Sequence, residues 1–355
     1  MPRTTPASDP TPLPPLCAGP GRAVVTGGAG FVGSHLVEHL LEEGFTVEVI
    51  DDLSTGRLDN LDAVRAEDRL QVTVGSVADA RIARSAFAAA DVVFHLAGAV
   101  GVRRLARAPL KVMQANLRAS EVVLEAAADL GVPVLFSSSS EVYGDGEVPF
   151  VEHAGVAPGS TEGLRGGYAC AKAMSEWLAC AHAERAGLPV VVARLFNTVG
   201  PRQRGEHGMV LPRFVDQALR GEPLTVYGDG AQTRCFAHVR DVARALAALA
   251  RSSSRPGRVV NVGSAVETSV SALAELVVAT VGGRGAIRRV PYGDVFPAGF
   301  VDPVRRVPSL ERLRASNGWV PQTPLARIVA DVVAAARGEA ASQQVAASRA
   351  ASTAS

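Results

Sequence analysis

Cysteine is scarce and scattered. The 355 residues hold four, Cys17, Cys170, Cys180 and Cys235. With no C-x-x-C pair and no Cys/His cluster, neither a zinc site nor a disulfide framework is suggested. A reducing cytoplasm is the expected setting. No apolar run reaches the length of about 18 residues needed to span a bilayer, so no membrane partner is expected. Charge of one sign is not in excess either. Lys+Arg 36 against Asp+Glu 35 leaves +1. A near-neutral field argues against nucleic acid, because phosphate backbones select basic faces. Of the seven histidines, only His35 and His39 stand four apart on a candidate helix. They read as a packed or solvated pair, and no metal is expected.

What remains is an ordinary globular composition, with 47% hydrophobic and 20% charged residues. It excludes a disordered chain, a collagen-like chain and a coiled coil. The length allows two domains or one large α/β unit. Residues 1–20 are dense in proline, which fixes φ and removes N–H donors, and they read as a disordered tail. Residues 338–355 are rich in Ala, Ser and Gln, with no Leu, Ile or Phe to anchor them, and also read as disordered.

Between these ends the pattern alternates. RAVVTG at 22–27 is a β-branched run, followed by Gly27-Gly28-Ala29-Gly30-Phe31-Val32-Gly33. An amphipathic helix follows, with Leu36, Val37, Leu40 and Leu41 on one stripe, and then the strand TVEVIDD ending at Asp51-Asp52. This order suits a dinucleotide. Residues without Cβ let the backbone approach a pyrophosphate, and a helix N-terminus offers that anion its unpaired N–H groups. Asp51 can accept from ribose hydroxyls and would repel a 2′-phosphate, which favours NAD over NADP. Further strands are expected at about 70–74, 91–95, 133–138, 189–195 and 258–262, mostly separated by helices. That alternation predicts a parallel sheet covered on both faces.

Tyr168 and Lys172 stand at i and i+4 on one helix face. A Tyr hydroxyl near its ordinary pKa of about 10 is a poor base at pH 7, and an adjacent ammonium should lower it. Upstream, Ser137-Ser138-Ser139-Ser140-Glu141 follows a buried strand, and strand ends of such sheets face the ligand crevice.

The segments TGGAGFVGSHL, HLAG, SSSSEVYGDG, YACAK, RLFNTVGPR and LTVYGDGAQTRCF occur in this order. Together they resemble the extended short-chain dehydrogenase/reductases, and more narrowly the nucleotide-sugar epimerases, dehydratases and decarboxylases. The resemblance spans about residues 21–335. It implies a Rossmann-type doubly wound sheet with a smaller, interleaved C-terminal substrate-binding lobe. The Rossmann part would cover 21–196 with a return segment at about 235–264. The substrate lobe would cover 197–234 and 265–337.

The resemblance also implies NAD held by Gly27, Gly30, Phe31, Val32, Gly33, Asp51, Asp52, Leu96, Ala97, Asn116, Tyr168 and Lys172. Tyr168 would be the base at the sugar C4 hydroxyl, Lys172 its modulator, and Ser139 a partner of the C4 oxygen. Ser140, Arg165, Asn197, Arg202, Tyr227, Gln232, Arg234 and Arg306 would contact the UDP-sugar. Arg forks suit phosphate oxygens and an aromatic face suits a base. A homodimer built on the helices near 111–130 and 168–186 is also implied.

Three reactions share oxidation at C4, and residues 139–141 separate them. Dehydratases resemble T-D-E, whose Asp expels the C6 hydroxyl. Here the place is Ser140, too weak an acid for that task. Simple 4-epimerases usually carry a small or neutral residue where this chain has Glu141. UDP-glucuronate decarboxylases resemble T-S-E, which Ser139-Ser140-Glu141 follows with Ser for Thr. The expectation is therefore a UDP-glucuronate decarboxylase in which Glu141 orients a water or disfavours the substrate carboxylate. Arg234 would bind that carboxylate or help reprotonate C5. The alternative is a UDP-sugar 4-epimerase. Departures from the family pattern are Ser76 where relatives have an Asp facing the adenine, NLRAS for N-x-x-G-T, and Gly166-Gly167 before Tyr168. The last should loosen substrate seating and let UDP-4-keto-xylose escape in part. A non-catalytic cofactor-binding regulator would share the fold, but the intact Tyr168, Lys172 and Ser139 argue against it.

Overall fold

The computed structural model describes residues 13–157, 159, 164–205, 208–253, 257–283, 285–296 and 302–353, without the side chains of 102, 103, 106, 164, 165 and 340–353. The chain begins as its patterning suggests: β1 (Arg22–Thr26), α1 (Phe31–Glu42), β2 (Thr46–Asp51), β3 (Leu70–Val74), α2 (Ala80–Phe87) and β4 (Val92–His95). Next come α3 (Val102–Arg107), α4 (Pro109–Leu130), β5 (Val134–Ser139), α5 (Leu164–Arg185) and β6 (Val190–Leu195).

The sheet closes much later, after β7 (Thr198–Val199), α6 (Val210–Leu219), β8 (Leu224–Tyr227), β9 (Thr233–Cys235), β10 (Ala237–His238) and α7 (Val239–Arg251). Then β11 (Val259–Val262) pairs in parallel with β6. All seven strands of the sheet are parallel, in the order β11-β6-β5-β4-β1-β2-β3. Val and Ile dominate its central strands because both faces are covered. On one face Leu36, Val37 and Leu40 of α1 pack with Val242, Leu246 and Leu249 of α7. On the other, Phe87 of α2 packs with Val122, Val123 and Ala126 of α4 and with Ala179 and Ala183 of α5.

A second core lies outside the sheet. It joins α6, β8, α8 (Val270–Val281) and α10 (Leu325–Thr353) through Leu211, Phe214, Val226, Leu273, Val277 and Ile328. Two short strands, β12 (Glu267–Ser269) and β13 (Ile287–Val290), pair with β9 and β8. The remaining helix, α9 (Glu311–Asn317), packs on α7 and β11.

Both ends depart from expectation. Residues 1–12 of the proline-rich segment lie outside the described residues, but Leu16 and Cys17 are buried, and their N–H groups donate to the Ala250 carbonyl at 2.7 and 3.2 Å. Proline forbids a helix there but not extended packing, and Leu16 supplies the apolar anchor. At the other end α10 continues to Thr353 instead of fraying at 338. Its packed turns, with Ile328, Val329, Val332 and Val333, provide the nucleus. Alanine, a strong helix former, then propagates the helix. Among the described residues no helix is long and apolar enough to cross a membrane.

Candidate active site

A cleft of about 780 Å³ opens at the carboxyl ends of the strands. The order reverses between β1 and β4, the switch point at which such sheets bind ligands. Gly27 turns the chain at φ 72, and a Cβ there would stand 2.7 Å from the Ala97 nitrogen. A Cβ at Gly33 would stand 2.1 Å from the Gly27 carbonyl oxygen, so α1 reaches the turn only without side chains. The glycines at 27, 30 and 33 thus bring the backbone at the start of α1 close to the cleft, as a pyrophosphate requires. Gly30, Phe31, Val32, Asp52, Ser76, Leu96 and Ala97 line the same end. Asp51 closes it, accepting from the N–H groups of Ala29 at 3.0 Å and Leu53 at 2.9 Å. Burial holds its carboxyl above the usual range despite these bonds. The cradle therefore fits a dinucleotide on geometric grounds.

At the other end, β5 delivers Ser139 and α5 delivers Tyr168. The Ser139 hydroxyl stands near enough to the Tyr168 hydroxyl to influence its ionisation. Burial, and then the charge of Glu141, push the phenol well above its ordinary value, with Ser139 acting downwards. This corrects the expectation that Lys172 lowers it. The Lys172 Nζ points elsewhere, donating to the Ser137 carbonyl at 3.0 Å and lying 5.3 Å from the Phe136 ring centroid. Burial depresses the amine to about 8, with Glu176 working against that fall. Glu176 is itself held by Arg194, whose Nη2 donates to it at 2.7 Å.

Opposite Tyr168 the cleft carries paired charges. Arg306 donates to both oxygens of Glu141, at 2.5 and 3.3 Å. It also reaches the Ser140 hydroxyl at 3.5 Å. Arg234 meets Asp302 at 2.8 Å and donates to the Thr233 and Pro303 carbonyls. Asn197 lines the cleft, and its Nδ2 is buried without a hydrogen-bond partner among the described residues. Tyr227 lies under the Arg213 guanidinium, 4.2 Å from its ring centroid, with Phe296 edge-on at 5.4 Å. Gln232 donates to the Tyr227 carbonyl and the Tyr292 hydroxyl, both at 3.0 Å.

Two expected residues stand apart, and a third cannot be placed. Arg202 does not line the cleft. It has a left-handed backbone (φ 71), donates to Ser34 at 3.1 Å and pairs with Glu38, so it fastens the β7–α6 loop to α1. Asn116 braces α4 to the β4 exit instead of lining the cleft, its Nδ2 donating to the Ala99 carbonyl at 3.0 Å. Arg165 falls in the first turn of α5, its side chain outside the described residues. Sequence reasoning missed Arg104, Arg213, Tyr292, Phe296 and Asp302, all of which line the cleft. No motif spacing marks them, because each meets its site only through tertiary packing. Among the described residues no group of three or more His, Cys, Asp or Glu is placed to hold a metal ion. His35 instead bonds the Pro201 carbonyl at 3.1 Å.

The family model described as "NAD dependent epimerase/dehydratase family" matches residues 23–263. A UDP-N-acetyl-alpha-D-glucosaminuronate decarboxylase of Bacillus cytotoxicus is 35% identical over 294 residues, 82% of this chain and 90% of its own. UDP-glucuronic acid decarboxylase 1 of Xenopus tropicalis is 35% identical over 305 residues, 86% of this chain and 69% of its own. Among solved structures, the UDP-glucose 4-epimerase of Thermotoga maritima with UDP-glucose superposes with a TM-score of 0.80. It is 30% identical and covers 90% of this chain and 99% of its own.

Proposed function

The chain belongs to the NAD dependent epimerase/dehydratase family, and within it we propose that it is a UDP-glucuronate decarboxylase yielding UDP-xylose. The observation that carries this reading is the Ser139-Ser140-Glu141 turn beside Tyr168. It presents two hydroxyls and a carboxylate already paired with Arg306, and Ser140 stands where a dehydratase needs an acid. The similarity to two uronate decarboxylases supports it.

NAD, when bound, supplies the hydride acceptor for oxidation at C4 and the donor for the return step. Gly27, Gly30 and Gly33 would hold its pyrophosphate, Asp51 its adenosine ribose and Lys172 its other ribose. Tyr168 would take the C4 hydroxyl proton while Ser139 holds the oxygen, a role that requires the positive charge of bound NAD to bring the phenol down from the raised value that burial gives it. With C4 a ketone, the C5 carboxylate is a β-keto acid. The bond from C5 to the carboxyl carbon breaks, carbon dioxide leaves, and the electron pair moves onto the C4 oxygen. Ser139 and Tyr168 face that developing enolate with hydroxyls. Arg234 is placed by Asp302 to assist reprotonation of C5. Asn197 and Arg306 face the diphosphate, and Tyr227 with Arg213 the uracil.

The molecule would work as a homodimer through α4 and α5, which pack together and leave Leu110, Met174 and Trp177 exposed at 67%, 54% and 68%. None of the four cysteines is in a disulfide, which suits a reducing compartment such as the cytoplasm. Incubation with UDP-glucuronate should release carbon dioxide and give UDP-xylose by mass and proton NMR. Gly166-Gly167, in the first turn of α5, leave the approach to Tyr168 without the side chains of relatives and should add some UDP-4-keto-xylose. UDP-N-acetylglucosaminuronate and UDP-glucose belong in the same assay. Silence toward both uronates with interconversion of UDP-glucose and UDP-galactose would establish the 4-epimerase instead.

A further inference from the structure

We propose that Arg104 is the carboxylate receptor of this site, the group that selects a sugar acid over a neutral sugar. The inference rests on the decarboxylase reading and deepens it. Most charges lining the cleft are matched inside the protein: Arg306 with Glu141, Arg234 with Asp302. Arg213 donates to the Thr225 carbonyl and stacks on Tyr227. Arg104 lines the same cleft, yet its Nη1 is buried with no hydrogen-bond partner among the described residues. A buried charged donor is costly until an acceptor reaches it, and a guanidinium fork matches a carboxylate.

Its position fits the reacting end. Arg104 belongs to α3, which packs on α5. The next residue, Leu105, is buried with Ala99 and Val112, and the Tyr168 ring packs against that cluster. The backbone thus starts the Arg104 side chain from a helix packed beside the one that carries the proposed base, and that side chain lines the cleft. The uronate carboxyl is attached to C5, the carbon next to the C4 that Tyr168 serves. A carboxylate there supplies the acceptor Nη1 lacks. When carbon dioxide leaves, Arg104 loses that partner, and the grip on the product weakens at the step where release is needed.

Such a contact is made with the ground-state acid, so its loss should raise KM for UDP-glucuronate more than it lowers kcat. The direct test uses NAD-loaded Tyr168→Phe protein, which binds without turnover, titrated with UDP-glucuronate and UDP-xylose. Adding Arg104→Gln should weaken UDP-glucuronate by about 10- to 100-fold, from the usual strength of a charged hydrogen bond, with UDP-xylose within about twofold. Arg104→Lys should recover part of the loss, which guards against a folding defect. Equal weakening of both nucleotides, or unchanged UDP-glucuronate binding, overturns the assignment. Wild-type turnover separates the two readings. No carbon dioxide from wild type sinks the decarboxylase and the receptor together, whereas turnover with unchanged Arg104→Gln affinity sinks only the receptor.

Discussion

Glu176 offers the sharpest test of how the catalytic helix is held. It follows Lys172 by one helical turn, and its carboxylate receives Arg194 through Nε at 3.0 Å and Nη2 at 2.7 Å. Both side chains are buried, at 7% and 5% exposure, and the guanidinium lies 4.6 Å from the Tyr143 ring centroid. Glu176→Gln keeps the shape and removes the charge, stranding Arg194. Breaking a buried pair costs about 3–5 kcal/mol, and one retained amide acceptor argues for the lower end, about 3 kcal/mol. With an unfolding entropy of about 2.1 cal/mol/K per residue, a chain this long should lose about 4 °C in Tm. Replacing both partners, Glu176→Met with Arg194→Met, removes the stranded charge and should return most of that loss. Calorimetry on wild type, both single variants and the double variant completes the cycle. The Lys172 amine, released from Glu176, should also fall below about 8 and move the alkaline limb of the pH–rate profile downward. Additive losses in the double variant would refute the argument, because they would mean that the pair is not a coupled buried unit.

Gly33→Ala should abolish NAD retention while the chain still folds, since the new Cβ meets the Gly27 carbonyl; cofactor absorbance of the purified protein reads this directly. Stability should fall between pH 7 and pH 5. His35 and His95 are held neutral by burial, from 6.5 down to about 3, so the unfolded chain binds more protons across that window. The loss, about 2 kcal/mol per histidine by pH 5, would appear in urea midpoints, with the raised carboxyls of Asp51 and Glu152 opposing it in part. For the proposed homodimer, Trp177→Asp should shift sedimentation from dimer to monomer, and a sedimentation coefficient equal to that of wild type would refute this interface.

What was legible in the sequence was local. The glycine turn declares itself because its demands, φ 72 at Gly27 and no Cβ at Gly33, are met within seven residues. The strands declare themselves because burial on both faces leaves only apolar runs. The Tyr168–Lys172 spacing was legible as well, but its electrostatics were not. Spacing cannot tell that the Lys172 ammonium turns to the Ser137 carbonyl, or that burial outweighs every other influence on the phenol. Arg202 misled for a related reason. Its motif context pointed to a diphosphate, while Ser34 and Glu38, more than 160 residues earlier, compete for the same guanidinium and hold it. Likewise Glu141 with Arg306, and Arg234 with Asp302, join residues far apart in sequence, and no pattern announces such partners.

Those distant partners converge on one framework. Just after Glu141, Tyr143 stacks on Phe150 at 4.7 Å between centroids and donates to Asn261 of β11 at 2.7 Å. Asn261 in turn donates to the Phe150 carbonyl at 3.0 Å and, through its backbone N–H, to Glu152 at 2.9 Å. Phe150 then donates its own N–H to the Val307 carbonyl at 2.8 Å, next to Arg306. The returning strand therefore fixes both members of the Glu141–Arg306 pair. Because the groups linked in this chain are hydrogen-bonded to one another, its members cannot shift singly without leaving a buried partner unsatisfied. The turn beside Tyr168 is thus held from behind by the last strand of the sheet. That is the physical reason the first lobe needs a segment some 120 residues later to complete its site.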